Sequence, residues 1–350
     1  MTCVRRRTTL ALAAALVVPA LAACSTGSTS AADTGSGAAA PVAESTADAN
    51  AFPVTIEHDL GETTIEAEPQ RVVTLGWTDQ DLVLSLGVVP VGATKLTWGG
   101  NDAGSSDWFD AALEEVGGEQ PVRLDDTDGT PIDEVAELAP DVILATNSGI
   151  TEKDYAKLSK IAPVVAYPEA PWVTSWDTSL DMVGAALGRS ELADEVAADT
   201  ERVIADAREA YPQLEGTSVV FAYLTAADLS TIGIYGAEDN RVRTLTEFGM
   251  TNAPIVEDVV KPGQFYGSIS AERASSVDAD VLLTYAETED DLQTFADDPL
   301  LGEIPAIKDG HAYAEVDKHV GLAITNPSPL SMPWIVEEFL PHVADVAPQS

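Results

Sequence analysis

The residues able to do chemistry in this chain point to recognition rather than to bond making. Four histidines, His58, His311, His319 and His342, never recur at i, i+3 or i+4, the spacing that would bring two imidazoles to one metal. No GxSxG elbow, P-loop, HExxH or GxGxxG is present, so the common hydrolase, nucleotide and zinc chemistries lack their signatures. Acidic pairs such as Asp125-Asp126 and Asp290-Asp291 have the right type for acid–base work. Among 58 acidic residues they read as solvated turns, and no catalytic residue or metal ligand is assigned. What remains is aromatic and cationic. Six Trp and eight Tyr can wall an organic ligand at low entropic cost, and Lys95, Arg241 and Arg243 can donate to its oxygens.

These side chains need a scaffold, and the sequence patterning supplies one. From residue 52 short β-branched runs alternate with helical patterns, as in α/β units. Strands are expected at 71–76, 88–94, 141–146 and 164–167, with helices at 78–87, 133–138 and 155–161. A long helix follows at 191–211, where Leu192, Val196, Val203, Ile204 and Ala207 recur at helical spacing after a capping Ser190. After Pro212 the alternation restarts, with strands at 218–224, 231–235 and 281–285 and helices at 241–248, 272–277 and 334–340. The fold class expected is therefore α/β, with two α/β lobes joined by one long rigid helix and a ligand cleft between the lobes. The N-terminal lobe is 52–189, the connecting helix 190–212 and the C-terminal lobe 213–350.

In such folds ligands sit at the carboxyl ends of strands, facing the other lobe. That rule selects loops. It gives Trp77 after the first strand, Lys95 and Trp98 after the second and Asn147 after the third. In the second lobe it gives Tyr223, Tyr235, Arg241 and Tyr285, with Asn326 near the end. Trp172, Trp176 and Trp334 stand in helical or apolar settings and are expected in the core. A formal net charge of −40 argues against nucleic acid as a partner.

The N-terminus has its own grammar. Arg5, Arg6 and Arg7 precede an apolar run from Leu10 to Leu21, which reads as a signal peptide over 1–23 and is too short to span a bilayer. Leu21-Ala22-Ala23-Cys24 resembles the cleavage site of bacterial lipoprotein precursors, with Cys24 receiving the lipid. The Ser/Gly/Ala-rich stretch 24–51 reads as a flexible tether. The location expected is extracytoplasmic, lipid-anchored to the outer face of the cell membrane.

Seven blocks in order carry a family resemblance: "RVVTLGWTDQDLVLSLGVVPVGAT", "PIDEVAELAPDVILATNSG", "LSKIAPVVAYP", the long helix, "IYGAEDNRVRTLTEFGM", "SISAERASSVDADVLLTY" and "IPAIKDGHAYAEV". Together they resemble the substrate-binding proteins of bacterial importers for iron-siderophore complexes, haem and cobalamin, and "TNPSPLSMPWIVEEFL" looks most like the iron-siderophore branch. The resemblance implies a monomeric receptor that hands its ligand to an ABC permease dimer with ATPase subunits. It also implies two acidic residues, one at the tip of each lobe, that pair with permease arginines. These match Asp133, with Glu134 as the neighbouring alternative, and Glu272. The implied ligand is a ferric siderophore, and the shortage of cations favours a neutral or cationic hydroxamate chelate over a trianionic catecholate. Haem, with His319 or Tyr235 as axial ligand, and cobalamin are the alternatives, followed by an enzyme with an unrecognised carboxylate site. A rigid connecting helix implies only a small closure on binding.

Overall fold

A computed structural model of the chain describes residues 46–348. The expected signal peptide (1–23), Cys24 and most of the expected tether lie outside the described residues. The described end of that tether is held against the fold. The Asp48 amide donates to the Gly188 carbonyl at 2.7 Å, and Arg189 donates to the Thr46 hydroxyl.

The strands β1 (Val54–His58) and β2 (Gly61–Ile65), not expected from the sequence, pair as an antiparallel hairpin. Then follow β3 (Val72–Thr74), α1 (Asp79–Ser85), β4 (Gly92–Thr94), α2 (Asp107–Glu115), β5 (Val122–Leu124), α3 (Ile132–Glu137), β6 (Val142–Ala145), α4 (Glu152–Leu158) and β7 (Val164–Ala166). The strands β3 to β7 form one parallel sheet in the order β5-β4-β3-β6-β7. Helices cover both faces of such a sheet, so β6 and β7 read as unbroken apolar runs, VILA and VVA, rather than alternating ones. The helix α5 (Trp176–Leu187) stops at Gly188, whose φ of 67° is the left-handed conformation that ends helices. The long helix α6 (Ser190–Ala210) follows; its 21 residues span about 30 Å at 1.5 Å each.

The second lobe contains β8 (Ser218–Thr225), β9 (Asp228–Tyr235), α7 (Asn240–Glu247), β10 (Thr251–Asn252), α8 (Pro254–Val259), β11 (Tyr266–Ser270), β12 (Val281–Tyr285), α9 (Asp291–Asp297), α10 (Pro305–Asp309), β13 (Ala312–Glu315) and α11 (Lys318–Thr325). The chain closes with the helical segments Met332–Trp334, Ile335–Phe339 and Leu340–Val346. The sheet order is β11-β9-β8-β12-β13, with β10 also beside β8. This sheet is mixed, because β9 runs antiparallel to both β8 and β11. Only Ala226 and Ala227 separate β8 from β9, and two residues can make a hairpin but not a crossover. The expected helix at 272–277 is a short 3₁₀ segment, Ala271–Ser276.

One apolar core runs through both lobes. It includes Leu82, Trp108, Leu180, Ala193 and Ile204 on one side and Phe221, Leu322 and Phe339 on the other. Within it sits a carboxylate. Asp81 Oδ2 accepts from Trp108 Nε1 at 2.8 Å and from Ser328 Oγ at 2.7 Å, which ties α1 to the chain beyond α11. Burial pushes the Asp81 carboxyl up to about 7, against partial relief from those two donors and from Arg123.

An unfolded Asp titrates near pH 3.9. Between about pH 4 and 7 the folded chain therefore keeps a proton that the unfolded chain has released, and stability falls as pH rises through that window. The variant Asp81→Asn removes this contribution. Urea unfolding at pH 5 and pH 8 is expected to show the wild type losing up to a few kcal/mol relative to Asp81→Asn. Parallel pH profiles for the two proteins would contradict the assignment.

Candidate ligand-binding site

The order of the first sheet reverses between β3 and β6, and the carboxyl ends of those two strands present Trp77 and Asn147. Asp79 fixes them together. Its carboxylate, fully buried, accepts from the Thr146 amide at 2.9 Å and the Thr146 hydroxyl at 2.5 Å. Burial raises its pKa, and the Thr146 bonds oppose the rise. Gly76 is required beside it, since a Cβ there would lie 2.5 Å from the Asp79 carboxylate.

A strap between β7 and α5, residues 168–175, adds a second indole. Trp172 adopts φ +65°, a conformation that costs a non-glycine residue about 1–2 kcal/mol. It is wedged there: its ring edge meets Trp77 at 6.3 Å between centroids, and Gly149 leaves room that any Cβ would fill. From the other lobe α7 grips the strap. Asn240 Nδ2 donates to Thr174 O at 2.9 Å, and Arg243 Nη1 to Val173 O at 2.6 Å.

The start of α7 also builds the other wall. Asp239 caps the helix by accepting from the Arg241 amide at 3.0 Å, and the same carboxylate takes Arg241 Nε and Nη2, both at 2.7 Å. The guanidinium lies 3.6 Å over the Tyr235 ring. Burial is the largest influence and would lower the Arg241 pKa, but Asp239, Tyr285 and Tyr235 together outweigh it and hold the value above that of an ordinary arginine. Behind this layer Tyr285 hydroxyl and Thr325 Oγ1 are 2.6 Å apart, and Trp98 packs edge-on against Tyr285 at 5.2 Å.

Between these walls is a cavity of about 280 Å³. Trp77, Asn147 and Trp172 line it from one lobe, and Asp239, Asn240, Arg241, Phe265, Thr325 and Asn326 from the other. Asn147 Oδ1 and Asn326 Nδ2 are buried at its wall without a hydrogen-bond partner. One lobe thus offers an acceptor and the other a donor.

Of the residues singled out from sequence, Trp77, Asn147, Arg241 and Asn326 line this cavity. Tyr235, Tyr285 and Trp98 stand one layer behind and hold Arg241, Thr325 and each other. Lys95 pairs with Asp125 at 3.1 Å and Tyr223 is 46% exposed; neither lines the cavity. Trp172, expected in the core, faces the cavity instead. Its signal was the proline-flanked loop "YPEAPW", just as "KPGQFYG" marked the turn that presents Phe265. His319 sits at a lobe junction outside the cavity, with Nδ1 2.9 Å from Gly99 O and its ring against Trp108. Among the described residues no three His, Cys, Asp or Glu side chains are grouped to hold a metal, and no helix is long and apolar enough to cross a membrane. Asp133, in the first turn of α3, and Glu272, at the start of the 271–276 turn, are both exposed.

The sequence pattern of the periplasmic binding proteins matches residues 72–315, which takes in β3 through β13 and every wall of the cavity but Thr325 and Asn326. The chain belongs to this family. PiaA, the iron uptake ABC transporter substrate-binding protein of Streptococcus pneumoniae TIGR4, solved in complex with ferrichrome, is 36% identical. Its TM-score is 0.79, and the match covers 83% of this chain and 98% of PiaA. A periplasmic solute binding protein from Mycobacterium smegmatis is 30% identical with a TM-score of 0.70, over 84% of this chain and 98% of its own. The probable siderophore-binding lipoprotein YfiY of Bacillus subtilis (strain 168) is 28% identical over 275 residues, 75% of this chain and 80% of its own. Family members are binding proteins of importers, and the named lipoproteins among these relatives imply an extracytoplasmic setting.

The Asp79 contacts make a direct test of how the first wall is held. Asp79→Ala leaves the Thr146 amide and hydroxyl buried without an acceptor, which should cost about 2–4 kcal/mol. Asp79→Asn keeps an acceptor and should cost less. Urea midpoints measure the difference, and faster amide exchange at Trp77 and Asn147 in Asp79→Ala would report the loosened loops.

Proposed function

We propose that this protein captures a ferric siderophore, preferably a hydroxamate chelate, and delivers it to the permease of an ABC importer. The cleft between the lobes carries this reading. It sets two indoles and a phenyl ring around a guanidinium whose charge Asp239 already balances, with one unpartnered amide group on each side. Among the described residues lining the cavity, Arg241 is the one cation. A trianionic catecholate complex would enter without an uncompensated positive charge to meet it, whereas a neutral hydroxamate complex is matched by rings and amides. The ferrichrome bound by PiaA, at 36% identity, is a hydroxamate complex and supports the same choice.

In this reading the protein works as a monomer and has no catalytic role. Cleavage before Cys24 and lipidation of its thiol would anchor it to the outer face of the cell membrane, within reach of the permease. A diacylglyceryl group supplies two chains, enough for stable attachment. Asp133 and Glu272 would dock the two lobes onto permease arginines, the ATPase subunits lying on the far side. The apolar core shared by both lobes and α6 disfavours wide opening, since moving one lobe means breaking packed contacts.

Titration by tryptophan quenching tests the ligand. Ferrichrome and ferrioxamine B are expected to bind with Kd at or below about 1 μM. Ferric enterobactin, haem and cyanocobalamin should bind at least about 100-fold more weakly, a gap of at least about 2.7 kcal/mol. Arg241→Ala should weaken ferrichrome by more than about tenfold, and Lys95→Ala by less than about twofold. Tighter binding of haem, with a Soret band, would replace the siderophore reading.

Docking has its own measurement. The variants Asp133→Arg and Glu272→Arg should bind ferrichrome as the wild type does, yet fail to stimulate ATP hydrolysis by the reconstituted importer. Full stimulation by the double variant would remove both residues from the docking surface.

A further inference from the structure

A second cavity, of about 420 Å³, shares the strap and α7 with the cleft but none of its lining residues. Its walls are the strap at 168–170 and 173–175, the first turn of α5 at Asp177 and Thr178, and Arg243, Thr246 and Glu247 of α7. The siderophore reading makes no use of it.

Its chemistry is lopsided. Three carboxylates, Glu169, Asp177 and Glu247, face one guanidinium, and Arg243 has already given Nη1 to Val173 O at 2.6 Å. Glu247 is the least hydrated of the three. Its oxygens accept from the Trp176 indole at 3.2 and 3.3 Å, and among the described residues no cation forms an ion pair with it. Burial pushes its carboxyl up to about 7; the Trp176 bond and Arg243 oppose this, while Asp177 of α5 and Glu201 of α6 add to it. Asp177 also offsets the positive end of α5, which leaves that helix start unattractive to an anion. A second, independent feature is Thr174. It is only 4% exposed, it lines the cavity, and its hydroxyl has no hydrogen-bond partner.

We infer that this cavity binds a small organic ammonium group, such as the end of a diamine or polyamine, with Glu247 as its counter-ion and the Thr174 hydroxyl as an acceptor. An ammonium supplies three donors and one positive charge, which answers both deficits at once. Its compact charge fits where a second guanidinium fork would crowd Arg243.

The test uses the folded chain with putrescine and spermidine as probes. In ¹H–¹⁵N spectra the Trp176 indole signal, identified by its loss in Trp176→Phe, should shift saturably, with calorimetry giving one site. Glu247→Gln should weaken binding by at least about tenfold and Thr174→Val by about threefold, while ferrichrome affinity stays the same in both. Wild-type affinity should drop on going from pH 8 to pH 6, as Glu247 takes up a proton. If Glu247→Gln does not fold, Thr174→Val and the pH series still decide. The inference is overturned by the absence of a saturable shift, or by binding that both variants retain. It is equally overturned if ferrichrome displaces the probe, or if inorganic phosphate or Mg²⁺ moves the Trp176 signal and the diamines do not.

Discussion

Asp79 and Asp81 leave water together at the start of α1, and each carboxylate must be met by donors that the protein itself supplies. Asp79 takes its donors from Thr146, on the loop after β6. Asp81 takes them from Trp108 on α2 and from Ser328 in the second lobe. A buried carboxylate that loses a donor is costly, so these partners cannot drift. One helical turn thereby sets the spacing of Trp77 and Asn147 in the cleft and locks the lobes at their base. The apolar core continues the same constraint through α6 into Phe221 and Phe339. A receptor built this way is arranged before its ligand arrives, which limits the ordering cost of binding.

The helix α7 is the matching device in the second lobe. Asp239 serves three purposes with one carboxylate: it caps the helix, orients Arg241 and cancels its charge. The guanidinium is fixed further by the Tyr235 face, so it meets a ligand with its rotamer already chosen. Because Asn240 and Arg243 hold the strap carbonyls, the same helix sets where Trp172 stands. The strained backbone of Trp172 persists because that grip and Gly149 leave its indole one place to go.

Much of the first lobe was legible because its sheet is wholly parallel. Apolar strands, intervening helices and a rule about carboxyl ends lead directly to Trp77 and Asn147. In the second lobe the same rule leads to Arg241, which lines the cavity, and to tyrosines that do not. Tyr223 stands near the carboxyl end of β8, which runs parallel to β12, but its side chain falls on the solvent face of the strand, 46% exposed and outside the cavity. Tyr235 and Tyr285 were sound as aromatic choices, yet they form the layer behind the wall. Phe265 escaped notice, and Trp172 was expected in the core, because loops between proline or glycine turns carry no periodicity to show which way they face.

The sequence by itself determined the alternation of strands and helices, the long connecting helix and the shortage of cations that bears on ligand charge. These follow from local patterning and composition, which need no knowledge of neighbours in space. It could not single out Asp79, Asp81 and Glu247 from 58 acidic residues of the same types. Their roles depend on burial and on donors 27 to 247 residues away for Asp79 and Asp81, and 71 away for Glu247. Only the tertiary structure decided which carboxylates are solvated surface, that Asp79 and Asp81 brace the cleft and that Glu247 lies on a separate cavity, because desolvation is a property of the packed site and not of the residue.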